Sequence, residues 1–167
     1  MKNIICISLT FILLGATLSC KTNKSNKTTD DKLDINKIDV KSKHLLIYLK
    51  RGACFGKCPE DEVAIYNDGT IIYNGKRNTD FIGSHKGQLD QSVIKDIETR
   101  MKSVNFEEIP SEFGMHVRDL PQKNVVVRID GKKKEFQYIQ SKYDDLNSLI
   151  RMVGDLYKDS KLESIEK

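Results

Sequence analysis

What the sequence lacks narrows it first. It has no tryptophan, and 38% of its 167 residues are hydrophobic, which is modest but enough for one core. One domain with appendages suits that length. No apolar run reaches the roughly 20 residues that a membrane-spanning helix needs. No Ser-His-Asp, His-Glu-x-x-His, phosphate-loop or calcium-loop spacing occurs. The usual grounds for proposing an enzyme are therefore missing, and no cofactor or metal is expected.

An excess of one charge is also missing from the part expected to fold. The formal net charge is +4. Residues 1–20 carry one lysine and no acid, and residues 21–43 carry seven lysines and four aspartates. Residues 44–167 hold 20 basic and 20 acidic residues. The basic excess lies ahead of the domain, not on it. A neutral domain lacks the electrostatic footprint of a nucleic-acid binder, so no nucleic-acid partner is expected.

What is present begins with an address. Met1-Lys2-Asn3 is a short positive start, Ile4 to Leu14 an apolar run, and Gly15 and Ala16 are small. That is the three-part plan of a secretory signal over residues 1–19. Thr17-Leu18-Ser19-Cys20 resembles a bacterial lipobox, with Thr17 where leucine is commonest. The resemblance implies lipidation of Cys20 and a membrane partner through that anchor. Cys6 would leave with the signal. Residues 20–43 are rich in Lys, Asn, Thr, Ser and Asp and read as a flexible tether. Its mean reach as a coil is roughly 25 Å. No aspartate follows Cys20 directly, which favours the outer membrane where a host has two. A bacterial cell envelope is the expected location.

Residues 44–158 then read as one domain, and 159–167 as a charged tail. His44 to Leu49 is a dense β-favouring run and predicts a buried strand. Glu62 to Tyr66 and Thr70 to Tyr73 predict a hairpin around Asn67-Asp68-Gly69. Asn74-Gly75 reads as a further turn, with a fourth strand starting near Thr79. Val93, Ile94, Ile97, Met101 and Val104 form one helical stripe, with Asp90 as the expected cap. Glu107 to Gln122 reads as irregular. Val125 to Ile129 and Lys134 to Tyr138 predict a second hairpin around Asp130-Gly131. Leu146, Leu149, Ile150, Val153 and Leu156 predict a second helix, capped by Ser141. Strands and helices are grouped, so the expected fold class is α+β, two layers with a mostly antiparallel sheet. One sheet face is then left solvated or for a partner, with Tyr48, Tyr66 and Tyr73 as candidates for it.

The candidate site is Cys54-Phe55-Gly56-Lys57-Cys58-Pro59, between the first two strands. An extended chain over that interval would span about 13–14 Å. A disulfide needs Cα atoms about 4.4–6.8 Å apart, so the segment must turn. Gly56 suits a turn, and an exported protein meets an oxidising compartment. The reading is a structural disulfide between Cys54 and Cys58, worth about 2 kcal/mol as a small ring. Two alternatives stay open. One is thiol redox, with Lys57 lowering a thiol pKa. The other is copper, because Cys-x-x-x-Cys-Pro occurs in thioredoxin-fold copper chaperones with a distant histidine, here His85 or His116. The strand that follows argues against both, because activated thiols of that kind sit at a helix start.

Ala53-Cys54-Phe55-Gly56-Lys57-Cys58-Pro59, then Ile65-Tyr66-Asn67-Asp68-Gly69-Thr70 and Tyr73-Asn74-Gly75, resembles a family of exported bacterial (lipo)protein domains of unknown function. The resemblance runs through Asp119-Leu120-Pro121 and the second hairpin and covers most of 44–157. It implies no activity and no catalytic residue. Glu60-Asp61-Glu62 departs from the family's more apolar opening, which argues against a deep apolar pocket there.

Phe55 and Lys57, with His116, Arg118 and Asp119 from the long loop, make up a candidate binding surface for an envelope protein or a small ligand. The plainer reading of the last three is a solvated loop with an Arg–Asp pair. Lys132 to Lys134 reads as a solvated hairpin tip that discourages edge pairing.

Overall fold

The structure is a computed structural model, and it describes residues 36–114, 117 and 119–165. The described residues form eight strands, β1 (Leu45–Arg51), β2 (Glu60–Tyr66), β3 (Thr70–Arg77), β4 (Gly83–Gln88), β5 (Glu112–Phe113), β6 (Lys123–Ile129), β7 (Lys132–Tyr138) and β8 (Glu163–Ser164). Two helices, α1 (Gln91–Ser103) and α2 (Asp144–Asp159), complete them. The strands make one sheet in the order β5-β7-β6-β1-β2-β3-β4-β8. All pairings are antiparallel except β5 with β7. The fold is α+β in two layers.

β1 lies at the centre because its run of apolar residues must be covered on both faces. The second hairpin therefore adds to its free edge, opposite β2. Both helices lie against one sheet face. Ile94, Ile97 and Met101 of α1 and Leu146, Leu149, Ile150, Val153 and Tyr157 of α2 bury against alternate residues of the strands. Among these are Leu49, Val63, Ile65, Tyr73, Val125 and Phe136. Burying each such side chain stabilises the fold by about 1.5–3 kcal/mol, before the entropy of ordering it is counted.

The opposite face is not bare. Leu45, Tyr48, Ala64, Tyr66, Ile72 and Val126 form a second apolar cluster there. Ile38, Val40 and Ile165 pack against it. The Asp39 amide donates to the Tyr66 hydroxyl at 2.9 Å, and Arg128 donates to the carbonyls of Ser42 and Lys41. The part of the expected tether that is described thus lies on the sheet. Ile38 and Val40 alternate as the outward face requires, in a segment otherwise too polar to show it. Tyr48 and Tyr66 are on this face but buried, and Tyr73 is on the helix face.

Local differences have physical reasons. β3 runs straight through Asn74-Gly75, and the chain turns later, at Asn78, whose φ is 55°. The fourth strand accordingly starts at Gly83. Asp90 precedes α1 but its side chain makes no cap bond; its backbone carbonyl takes the amides of Val93 and Ile94. Ser141 accepts from the Tyr143 amide, forming a turn ahead of α2, which starts at Asp144. Within 107–122 lie the end of a 3-10 turn, Phe106–Glu108, and β5. Phe113 of β5 stacks on Tyr138 at 4.9 Å.

Candidate functional site

Three connections meet at one end of the sheet: 52–59 between β1 and β2, 78–82 between β3 and β4, and 119–122 ahead of β6. Backbone groups tie them together. The Gly52 amide donates to Gln122 O at 2.8 Å and the Phe55 amide to Asp119 O at 3.3 Å. Asn78 Nδ2 donates to Cys58 O at 3.1 Å. Inside the first connection the sulfurs of Cys54 and Cys58 lie at disulfide distance, 2.04 Å, with their Cα atoms 5.8 Å apart. The amides of Gly56 and Cys58 point at Cys54 Sγ, at 3.2 and 3.3 Å. β2 opens at Glu60, so neither cysteine stands at a helix start.

This rim holds the expected surface residues that are described. Phe55 is 89% exposed, and Lys57 is exposed beside it. Asp119 takes part through its carbonyl. His116 and Arg118 lie outside the described residues, as does Cys20. His85 is on β4, with its ring edge-on to Phe81 and its Nδ1 at 3.2 Å from Gly83 O. Among the described residues, no three of His, Cys, Asp and Glu gather where they could hold a metal ion.

Beneath the rim lies a cluster that the sequence reading missed. Asp61 is 0% exposed on the helix face of β2. Arg51 of β1, its direct cross-strand partner, grips it with Nε at 2.7 Å and Nη2 at 2.5 Å. Arg51 Nη2 also donates to Gly154 O on α2, at 3.0 Å. The Tyr73 hydroxyl donates to Asp61 Oδ2 at 2.9 Å and contacts the Thr79 hydroxyl, which reaches Tyr157 OH at 3.4 Å. The Tyr73 and Tyr157 rings stack at 4.2 Å. Burial alone would lower the Arg51 pKa, but the Asp61 carboxylate outweighs it and holds the guanidinium charged. Burial, with the Asp61 charge, pushes the Tyr73 hydroxyl well above its ordinary range despite the Thr79 contact. A hydroxyl shifted that way stays protonated near neutral pH, as its donation to Asp61 requires. The cluster ties β1, β2, β3, the 78–82 connection and α2 together under the rim.

A signal for it was available in strand parity. Ile47, Leu49 and Arg51 share one face of β1, and Asp61, Val63 and Ile65 one face of β2. Opposite charges at the ends of two inward-facing apolar series predict a buried pair. The acidic Glu60-Asp61-Glu62 opening hides this, because Asp61 faces the opposite way from the glutamates on either side of it. Glu62 points outward to Lys50 and Lys76, which outweigh its burial and hold its carboxyl below the usual range.

The model of a family described as a domain of unknown function (DUF6438) matches residues 45–157. No curated protein matches the chain.

Proposed function

We propose that the chain, which belongs to that family of unknown function, is a lipid-anchored binding module of the bacterial cell envelope. It is held to a membrane through Cys20 and meets an envelope partner with the rim that carries the Cys54–Cys58 loop. The observation that carries this reading is Phe55. A side chain of this size left 89% exposed forgoes its hydrophobic gain. Here it stands in a short loop closed by a disulfide and tied by backbone bonds to the next connection. An aromatic anchor on a loop backbone fixed before contact leaves only its own rotamer freedom to lose on binding. The leader with its lipobox-like end supports the envelope setting.

Thiol redox is the second reading, and one observation favours it. The two amides aimed at Cys54 Sγ would stabilise a thiolate there after reduction. The strand that follows, and the lack of a helix dipole, weigh on the other side.

Mass spectrometry of the protein extracted from membranes, with and without mild reductant, separates the two. The expected result is an acylated N-terminus at Cys20 and a Cys54–Cys58 bond that survives mild reductant. An unmodified N-terminus would overturn the anchor. Cysteines that open and close readily would replace the binding module with the redox protein.

A further inference from the structure

A cleft of about 520 Å³ opens between α2 and the ends of β1, β6 and β7. Its floor is one row across the sheet, because Arg51 pairs with Lys123 and Lys123 with Tyr138. Its wall is one face of α2, because Asp144, Asn147, Ser148 and Arg151 recur at three- and four-residue spacing. Three cations, Arg51, Lys123 and Arg151, therefore line one space with Asp144, and since Asp61 already pairs with Arg51 from beneath, Lys123 and Arg151 are the cations left without a carboxylate bond among the described residues. This is a local excess on a domain that is neutral as a whole.

The donors are also unspent. Arg51 uses Nε and Nη2 on Asp61 and Gly154 O, while Nη1 has no hydrogen-bond partner among the described residues. Lys123 gives one of its three N–H groups to Ile139 O at 3.1 Å and rests over the Tyr138 ring. It has no carboxylate partner, and burial together with the Arg51 charge lowers its pKa. Arg151 has no polar partner among the described residues. Ser148 Oγ accepts from Arg100 Nη1 at 3.4 Å, which leaves its own proton to donate. Gly154 makes the arrangement possible, since a Cβ there would meet Arg51 Nη1 at 2.8 Å. A glycine in a helix interior is less favourable than alanine, and here it leaves room for the guanidinium.

Two cations side by side on neighbouring strands repel, and partial burial strengthens that repulsion. An oxyanion between them would relieve it and pair with the open donors. We propose that this cleft binds a small solute through a carboxylate or phosphate group, held by Arg51 Nη1, Lys123 and Arg151. The volume suits a small molecule and not a protein segment. The site is separate from the Phe55 surface, so each stands or falls by itself.

The test is an NMR titration of the ¹⁵N-labelled full chain with succinate, with inorganic phosphate, and with chloride at matched ionic strength. Saturable shifts at Lys123, Ser148 and the Arg51 side chain are expected with one or both oxyanions and not with chloride. The oxyanion that saturates at lower concentration identifies the group. Lys123→Met and Arg151→Gln should each weaken binding about tenfold, as loss of one charge-assisted hydrogen bond does. Phe55→Ser should leave it unchanged. Arg151 is exposed, so its replacement leaves the fold intact. Shifts that do not saturate, equal shifts with chloride, or variants that bind as tightly as the wild type would overturn the proposal.

Discussion

Asp61→Asn is expected to lower unfolding stability by about 3–5 kcal/mol, although it removes only a charge. The reason is what it leaves behind. Arg51 is 14% exposed at its side chain and held in place by Gly154 O. Without the carboxylate its charge stays buried and uncompensated. Tyr73 also loses a charged acceptor. Urea unfolding of the single variants and of Asp61→Leu with Arg51→Met measures this. Replacing both partners by apolar groups should recover most of the loss, so the double variant should be far more stable than the sum of the singles. If Asp61→Asn costs less than about 1 kcal/mol, the pair does not hold the rim's foundation as described.

Gly75→Ala is the second large effect, and its cause is space. A Cβ on Gly75 would lie 1.8 Å from Phe81 O and 2.7 Å from Thr79 Cγ2. The backbone of the 78–82 connection would have to lift. It would take with it the Thr79 contact to Tyr73 and the edge-on packing of Phe81 on Tyr157. A loss of about 3 kcal/mol follows from overpacking of this kind. Chemical unfolding gives the stability, and amide exchange at residues 78–82 shows whether that connection opens first. A variant as stable as the wild type, with exchange unchanged there, would show that the close approach is not needed.

The same glycine shows what the sequence made legible and what it did not. Asn67-Asp68-Gly69 and Asp130-Gly131 announce turns, and both fall where expected, with φ at 90° for Gly69 and 76° for Gly131. Asn74-Gly75 carries a similar local signal but lies inside β3. Gly75 is there because a distant backbone passes over it, and distance in the chain hides that reason. The helical stripes of α1 and α2 were legible because burial imposes a period on neighbouring residues. The sheet order was not, because the placing of β6 against β1 depends on pairing across about 75 positions. For the site, Cys54 and Cys58 declared themselves by spacing. Arg51 and Asp61 appear as unremarkable charges until strand parity and register place them face to face.

The central claim is that the stapled rim, led by Phe55, is what this protein presents to a partner. A photo-reactive phenylalanine analogue placed at position 55 in the native cells tests it most directly. The same analogue at Glu98, on the exposed side of α1, is the control. Discrete adducts that form from position 55 and not from 98, and that disappear in the Cys54→Ser, Cys58→Ser background, are the predicted result. No adduct from 55, or the same adducts from both positions, would contradict the account.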